Sequence, residues 1–190
     1  MPFDARNITI VILAGGRGTR VGGIDKGLML WRDKPLIEHI LASLPKASPV
    51  LINANRNIEK YQQYGLPVVA DALADYQGPL AGILSAMKQC KTDYLLCLPC
   101  DSPQPPAALT ERLWQCMSGN NKTCAICHDG ERLQPLFALM SLKLQPQLET
   151  WLAAGQRKVE NFFLEANAAV CDFSDQPQCF HNFNTAEDMK

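Results

Sequence analysis

Six consecutive residues near the start of the chain, Ile8-Thr9-Ile10-Val11-Ile12-Leu13, leave no polar face. A β-branched run of this kind predicts a strand covered on both sides, as in a parallel sheet. The pattern then changes period. Over 35–44, Leu36, Ile37, Ile40, Leu41 and Leu44 fall on one side of a helix that opens at Pro35. Val50-Leu51-Ile52 predicts a second strand and 66–70 a third, followed by a helix over 80–89 and a fourth strand over 94–98. A further helix over 107–117 leads to a strand over 124–127, a turn at Asp129-Gly130 and an antiparallel return over 135–140.

Strands that alternate with helices predict an α/β fold, with a mostly parallel central sheet wound on both faces. The chain shows no internal repeat, low-complexity tract or linker, so one domain over 1–190 is expected. Ligands of such sheets bind beyond the carboxyl ends of the strands. The residues just after each strand are therefore informative: Gly15-Gly16, Asn53-Ala54-Asn55-Arg56, Asp71 and Asp101.

Composition removes several classes. Eighteen basic against nineteen acidic residues give a net charge of −1, without the basic excess of a nucleic-acid binder. A 47% hydrophobic content argues against disorder. No apolar run approaches the ~20 residues that a bilayer requires. Met1 to Arg6 lacks the basic and apolar segments of a signal peptide, so a cytoplasmic protein is expected. Eight cysteines sit largely in apolar runs, which suits free thiols. Cys97/Cys100 and Cys124/Cys127 imitate zinc spacing, but residues three apart on a strand face opposite ways and do not converge on a metal. His39, His128 and His181 have no metal-type partner at useful spacing and read as structural.

The strongest chemical signal is Leu13-Ala14-Gly15-Gly16-Arg17-Gly18-Thr19-Arg20-Val21-Gly22-Gly23-Ile24-Asp25-Lys26. Five glycines within nine residues let backbone N–H groups approach and cradle an anion. Arg17, Arg20 and Lys26 add the charge to neutralise a polyphosphate. A Walker A loop fails, because Lys26 follows Asp25 and precedes Gly27. A dinucleotide fingerprint fails too, because Val21 stands where the third glycine belongs.

This loop resembles that of the small GT-A-like nucleotidyltransferases. With Asn53-Ala54-Asn55-Arg56, Asp71, Asp75-Tyr76, Gly78-Pro79-Leu80-Ala81-Gly82, Pro99-Cys100-Asp101, His128-Asp129-Gly130-Glu131 and Asn182-Phe183-Asn184-Thr185, it resembles the molybdenum cofactor guanylyltransferase family nearly end to end. The resemblance implies a three-layer, Rossmann-like nucleotidyltransferase fold. Val21 replaces the family's common Met and keeps an apolar contact. Lys158 stands where many relatives have Arg, and offers a point charge instead of a fork.

The implied reaction is attack by the terminal phosphate of molybdopterin on the α-phosphorus of GTP, releasing pyrophosphate. A phosphate monoester, with a second pKa of about 6, supplies its own nucleophile, so no general base is required. The resemblance assigns catalysis to Arg20, Lys26 and Asp101, with Asp101 holding Mg²⁺. It assigns the nucleotide to Leu13, Ala14, Gly15, Lys26, Asn53, Asp71 and Asp101. It assigns the pterin to Arg20, Gly23, Gly78, Gly82, Lys158, Asn182 and Asn184. A capping role for Asp101, a turn role for Asp71, and a purely structural role for Asn182 and Asn184 are the alternatives. Molybdoenzymes or their chaperones are expected further partners. Two other functions compete: a cytidylyl- or uridylyltransferase acting on a sugar or alditol phosphate, and a non-catalytic GTP-binding maturation factor.

Overall fold

The computed structural model describes residues 2–15, 25–72, 77–183 and 188. Its central sheet has seven strands in the order β5-β4-β1-β6-β8-β7-β9. The strands are β1 (Ile8–Leu13), β4 (Val50–Asn53), β5 (Val68–Val69), β6 (Tyr94–Pro99), β7 (Cys124–His128), β8 (Leu133–Ser141) and β9 (Ala169–Asp172). β1 is parallel to β4 on one side and to β6 on the other, and β4 is parallel to β5. β8 then runs antiparallel to both β6 and β7, and β9 returns parallel to β7. The fold is thus the expected α/β type with a mostly parallel sheet.

The uninterrupted pattern of β1 has a direct cause. Ile8, Ile10 and Ile12 enter one hydrophobic cluster, whereas Val11 and Leu13 enter the other. The first cluster is completed by α1 (Leu36–Ser43), α2 (Ile58–Gln62) and α4 (Leu109–Gly119). The second is completed by α3 (Pro79–Gln89), α5 (Gln145–Ala153) and α6 (Val159–Glu165). Each fully buried Ile, Leu or Val contributes on the order of 1.5–3 kcal/mol, and β1 buries all of its residues.

The same division settles the cysteine pairs. Cys97 and Cys124 lie in one cluster, and Cys100 and Cys127 lie in the other, across the sheet. All eight cysteines are free thiols. Burial raises the Cys124 thiol to about 11.

Four features differ from the sequence pattern. The third strand shrinks to Val68–Val69 at the sheet edge, and the helix expected over 107–117 runs over Leu109–Gly119. A hairpin of β2 (Leu30–Trp31) and β3 (Lys34–Pro35) precedes α1, turning at Arg32 and Asp33, both with positive φ. The elements α2, α5, α6 and β9 add to the pattern. Among the described residues, no helix is long and apolar enough to cross a membrane.

Candidate functional site

The parallel strands β4, β1 and β6 end side by side, with Leu13 paired to Asn53 and to Pro99. The chain that follows each strand therefore emerges at one edge. Ala14 continues the register by donating its N–H to the Asn53 carbonyl at 2.7 Å, and Cys100 N donates to Leu13 O at 3.1 Å. Leu13, Ala14, Asn53 and Asp101 are neighbours for this reason.

Two clusters of polar side chains occupy this edge. In the first, Asn53 Nδ2 donates to Asp71 Oδ1 at 2.9 Å, and Asn55 Nδ2 donates to Asp71 Oδ2 at 2.8 Å. Asn55 Oδ1 accepts the Asp71 N–H at 2.8 Å, and its Nδ2 also lies 3.3 Å from the Gly15 carbonyl. Asn53 is 2% exposed and donates further to Val69 O at 3.1 Å. Gly82, in the interior of α3, packs against this amide. A Cβ there would overlap Asn53, coming within 2.9 Å of its Cγ. The glycine thus makes room for a buried amide.

The second cluster holds the charges. Lys26 Nζ lies 2.8 Å from Asp101 Oδ2, with side chains 28% and 17% exposed. The Asp101 carbonyl accepts the Phe183 N–H at 2.7 Å, and Ser102 Oγ donates to Asn182 Oδ1 at 2.9 Å. The Phe183 ring meets Trp31 edge-on at 5.2 Å. Trp31 in turn packs on His39, whose Nε2 donates to the Trp31 carbonyl at 2.7 Å. The C-terminal segment is thereby fastened beside Asp101. Asp101 offers one partly exposed carboxylate next to a cation, which suits a metal completed by substrate phosphates and water. No group of three or more metal-type side chains exists among the described residues.

Of the residues expected from the sequence, Leu13, Ala14, Gly15, Asn53, Asp71, Lys26, Asp101 and Asn182 come together along this edge. Gly78 opens α3 with φ 87°. Arg157 Nε donates to Gln77 at 2.8 Å, which brings the exposed Lys158, at the start of α6, into the neighbourhood of Gly78. Arg20, Gly23 and Asn184 lie outside the described residues. The sequence pattern placed Asn55 at the ligand edge, within Asn53-Ala54-Asn55-Arg56, but gave it no role of its own; the structure makes it a partner of Asp71. The pattern missed Asp25 with its partners Asn57 and Tyr61. His39 and His128 have structural roles: His128 Nδ1 accepts the Gly130 N–H at 3.1 Å.

An open α/β sheet with amides, carboxylates and a lysine gathered at the carboxyl ends of its parallel strands puts a ligand site at that edge. Residues 10–170 match the model of the MobA-like NTP transferase domain. The chain is 45% identical to the molybdenum cofactor guanylyltransferase of Pasteurella multocida, over 95% of the chain and 96% of that protein. It is 43% identical to that of Shewanella loihica, over 95% and 92%. The chain belongs to the molybdenum cofactor guanylyltransferases of the MobA-like NTP transferase family, and is a nucleotidyltransferase.

Among solved structures, it superposes on molybdopterin-guanine dinucleotide biosynthesis protein A from Archaeoglobus fulgidus with a TM-score of 0.78 and 20% identity, covering 95% of this chain and 94% of that one. It also superposes on 4-diphosphocytidyl-2C-methyl-D-erythritol synthase from Anaerococcus prevotii with a TM-score of 0.70 and 12% identity, covering 98% and 96%. The fold alone therefore does not select the nucleotide.

Proposed function

We propose that this chain transfers GMP from GTP to molybdopterin, forming the guanine dinucleotide form of the molybdenum cofactor and releasing pyrophosphate. The observation that carries the reading is the Lys26–Asp101 pair at the sheet edge, in a chain 45% identical to a molybdenum cofactor guanylyltransferase. An oxygen of the molybdopterin phosphate attacks the α-phosphorus of GTP. A new P–O bond forms, the bond to the bridging oxygen breaks, and its electron pair leaves with pyrophosphate.

The nucleophile arrives ionised, so the protein must align two anions and offset their repulsion. Lys26 and Arg20 meet the polyphosphate. Asp101 would hold Mg²⁺, which would supply charge neutralisation at the phosphates. Leu13, Ala14, Gly15 and Asn53 line the nucleoside. Asp71 accepts one amide bond on each oxygen, and an ionised carboxylate has about four acceptor sites, so capacity remains for donors of the nucleoside. Arg20, Gly23, Gly78, Gly82, Lys158, Asn182 and Asn184 form the pterin half.

The test is incubation of the full chain with Mg²⁺, molybdopterin and either GTP or CTP, followed by mass analysis and pyrophosphate assay. A GMP adduct from GTP, with pyrophosphate, is expected. A preferred CMP adduct, or nucleotide binding without pyrophosphate release, overturns the reading.

A further inference from the structure

Asp25 opens the short 3-10 turn Lys26–Leu28. An aspartate in that position ordinarily bonds the N–H groups of its own turn, yet its side chain makes no such bond. Asn57, which opens α2 with φ 50°, does not cap its helix with its side chain either. The two side chains bond each other instead, with Asn57 Nδ2 donating to Asp25 Oδ2 at 3.0 Å. The Tyr61 hydroxyl donates to Asp25 Oδ1 at 2.5 Å. Asp25 is 8% exposed and Tyr61 fully buried. Burial pushes the Tyr61 hydroxyl well above its ordinary pKa, so it remains a donor. A buried carboxylate is costly to hold, and two capping residues that forgo their local bonds mark a site where local rules have yielded to something else.

The next two residues show what this network holds in place. Lys26 reaches Asp101 at 2.8 Å. Gly27 lies between Tyr61 and Cys100: a Cβ there would come within 2.6 Å of the Tyr61 hydroxyl and 3.4 Å of Cys100 Cβ. The Tyr61 hydroxyl thus bonds the residue before Lys26 and fills the space beside the residue after it, and Cys100 immediately precedes Asp101. A lysine on a flexible four-carbon stem aims well only if its backbone is fixed.

We propose that Tyr61 and Asn57 are positioning residues: through Asp25 they fix the turn that carries Lys26, and so aim its ammonium at the nucleotide phosphates beside Asp101. This rests on the reading that Lys26 meets the triphosphate. A role confined to core stability would lower the unfolding midpoint and weaken all ligands alike.

The experiment titrates GTP and GMP, each with Mg²⁺, into the full chain and into Tyr61→Phe, Asn57→Gly, Lys26→Ala and Tyr61→Phe/Lys26→Ala. Asn57→Gly removes the amide while keeping the positive φ available, and decides the matter if Tyr61→Phe does not fold. Tyr61→Phe is expected to raise the Kd for GTP about fivefold to tenfold and that for GMP less than about twofold, the scale of one net hydrogen bond. Asn57→Gly should show the same selectivity, more weakly. In the Lys26→Ala background, Tyr61→Phe should change GTP binding less than about twofold, because the two residues act as a unit.

Equal weakening of GTP and GMP by both single variants, or the full Tyr61→Phe effect persisting without Lys26, overturns the proposal. If Lys26→Ala discriminates GTP from GMP and neither other variant does, only the positioning role falls. If Lys26→Ala weakens both nucleotides equally, the reading of Lys26 falls and this inference with it.

Discussion

The parallel half of the sheet and its antiparallel half treat their carboxylates in opposite ways. Beyond β5 and β6, Asp71 and Asp101 are partly buried, and they are held by side-chain amides and one lysine drawn from other parts of the chain. At the β7–β8 hairpin, by contrast, the acid serves its own turn. Asp129 accepts the N–H groups of Glu131 and Arg132, both at 2.8 Å, and the Gln134 amide at 2.6 Å. Burial opposes its ionisation, but the Arg132 N–H, the Gln134 amide and the Glu131 N–H together hold it at about 2. The lesson is topological. Parallel strands deliver their carboxyl ends to one edge, so acids there meet partners from elsewhere and converge on a ligand. A hairpin returns at once, and its turn acids are satisfied locally.

The largest effect expected on this contrast comes from Asp101→Ala. Removing one electrostatic group from a transferring site costs about 2.7–4 kcal/mol of transition-state stabilisation, roughly 10²–10³ in turnover. The variant should keep its unfolding midpoint, since Asp101 lies in a loop. The same substitution at Asp129 should leave neutral-pH turnover near wild type. Wild-type turnover in Asp101→Ala at ordinary Mg²⁺ would remove this carboxylate from the mechanism and end the comparison.

Gly82→Ala should come next. An interior helical glycine replaced by alanine ordinarily gains about 1 kcal/mol, but here the new methyl meets Asn53. The Asn53 amide is tied to Val69 and Asp71, so it must give up a bond to a charged group, worth about 1.5–3 kcal/mol. GTP affinity should fall about tenfold. A more stable variant with unchanged GTP affinity would show that the amide cluster does not serve the nucleotide.

A smaller effect separates the two substrates. Lys158→Ala and Asn182→Ala should each weaken molybdopterin about threefold to tenfold, the scale of one net hydrogen bond, and leave GTP nearly unchanged. Paired titrations of each variant with the two ligands measure this. Parallel losses for both ligands would mean that the division into a guanine half and a pterin half is wrong.

Much of this was legible because it is local. The double-faced strand at Ile8–Leu13, the glycine loop, and a carboxylate directly after a buried strand at Asp101 all announce themselves within a few residues. Long-range pairings do not. Asn57 and Tyr61 sit in a helix of five residues with one buried member, too short for periodicity to show. The turn at Arg32 and Asp33 adopts positive φ at both positions without glycine or asparagine, so Asp33 alone marks it. Asp71, Asp101 and Asp129 all follow strands, and only the glycine after Asp129 marks one of them in the sequence as a turn residue.

The smallest effect tests the structural side of the contrast. Arg112 NH1 and NH2 lie 2.9 Å from the two oxygens of Asp175, and the guanidinium sits 3.8 Å over the Phe173 ring, fastening α4 to the chain after β9. Hydrogen bonds from Arg112 first, then from Gln176, lower the Asp175 carboxyl from 3.8 to about 2. The folded state therefore favours the ionised form. Its contribution to stability is complete above the unfolded pKa near 4 and is lost as pH falls through about 2. Because Asp175 is exposed, salt screens the pair and the contribution is small. Asp175→Asn should lower the urea midpoint by a constant amount from pH 7 to 5. That gap should close between pH 4 and 2, as wild type is protonated to match the variant. Turnover at neutral pH should not change. A gap that persists at pH 2 would assign the effect to packing, and a loss of turnover would place this clamp on the functional side of the sheet.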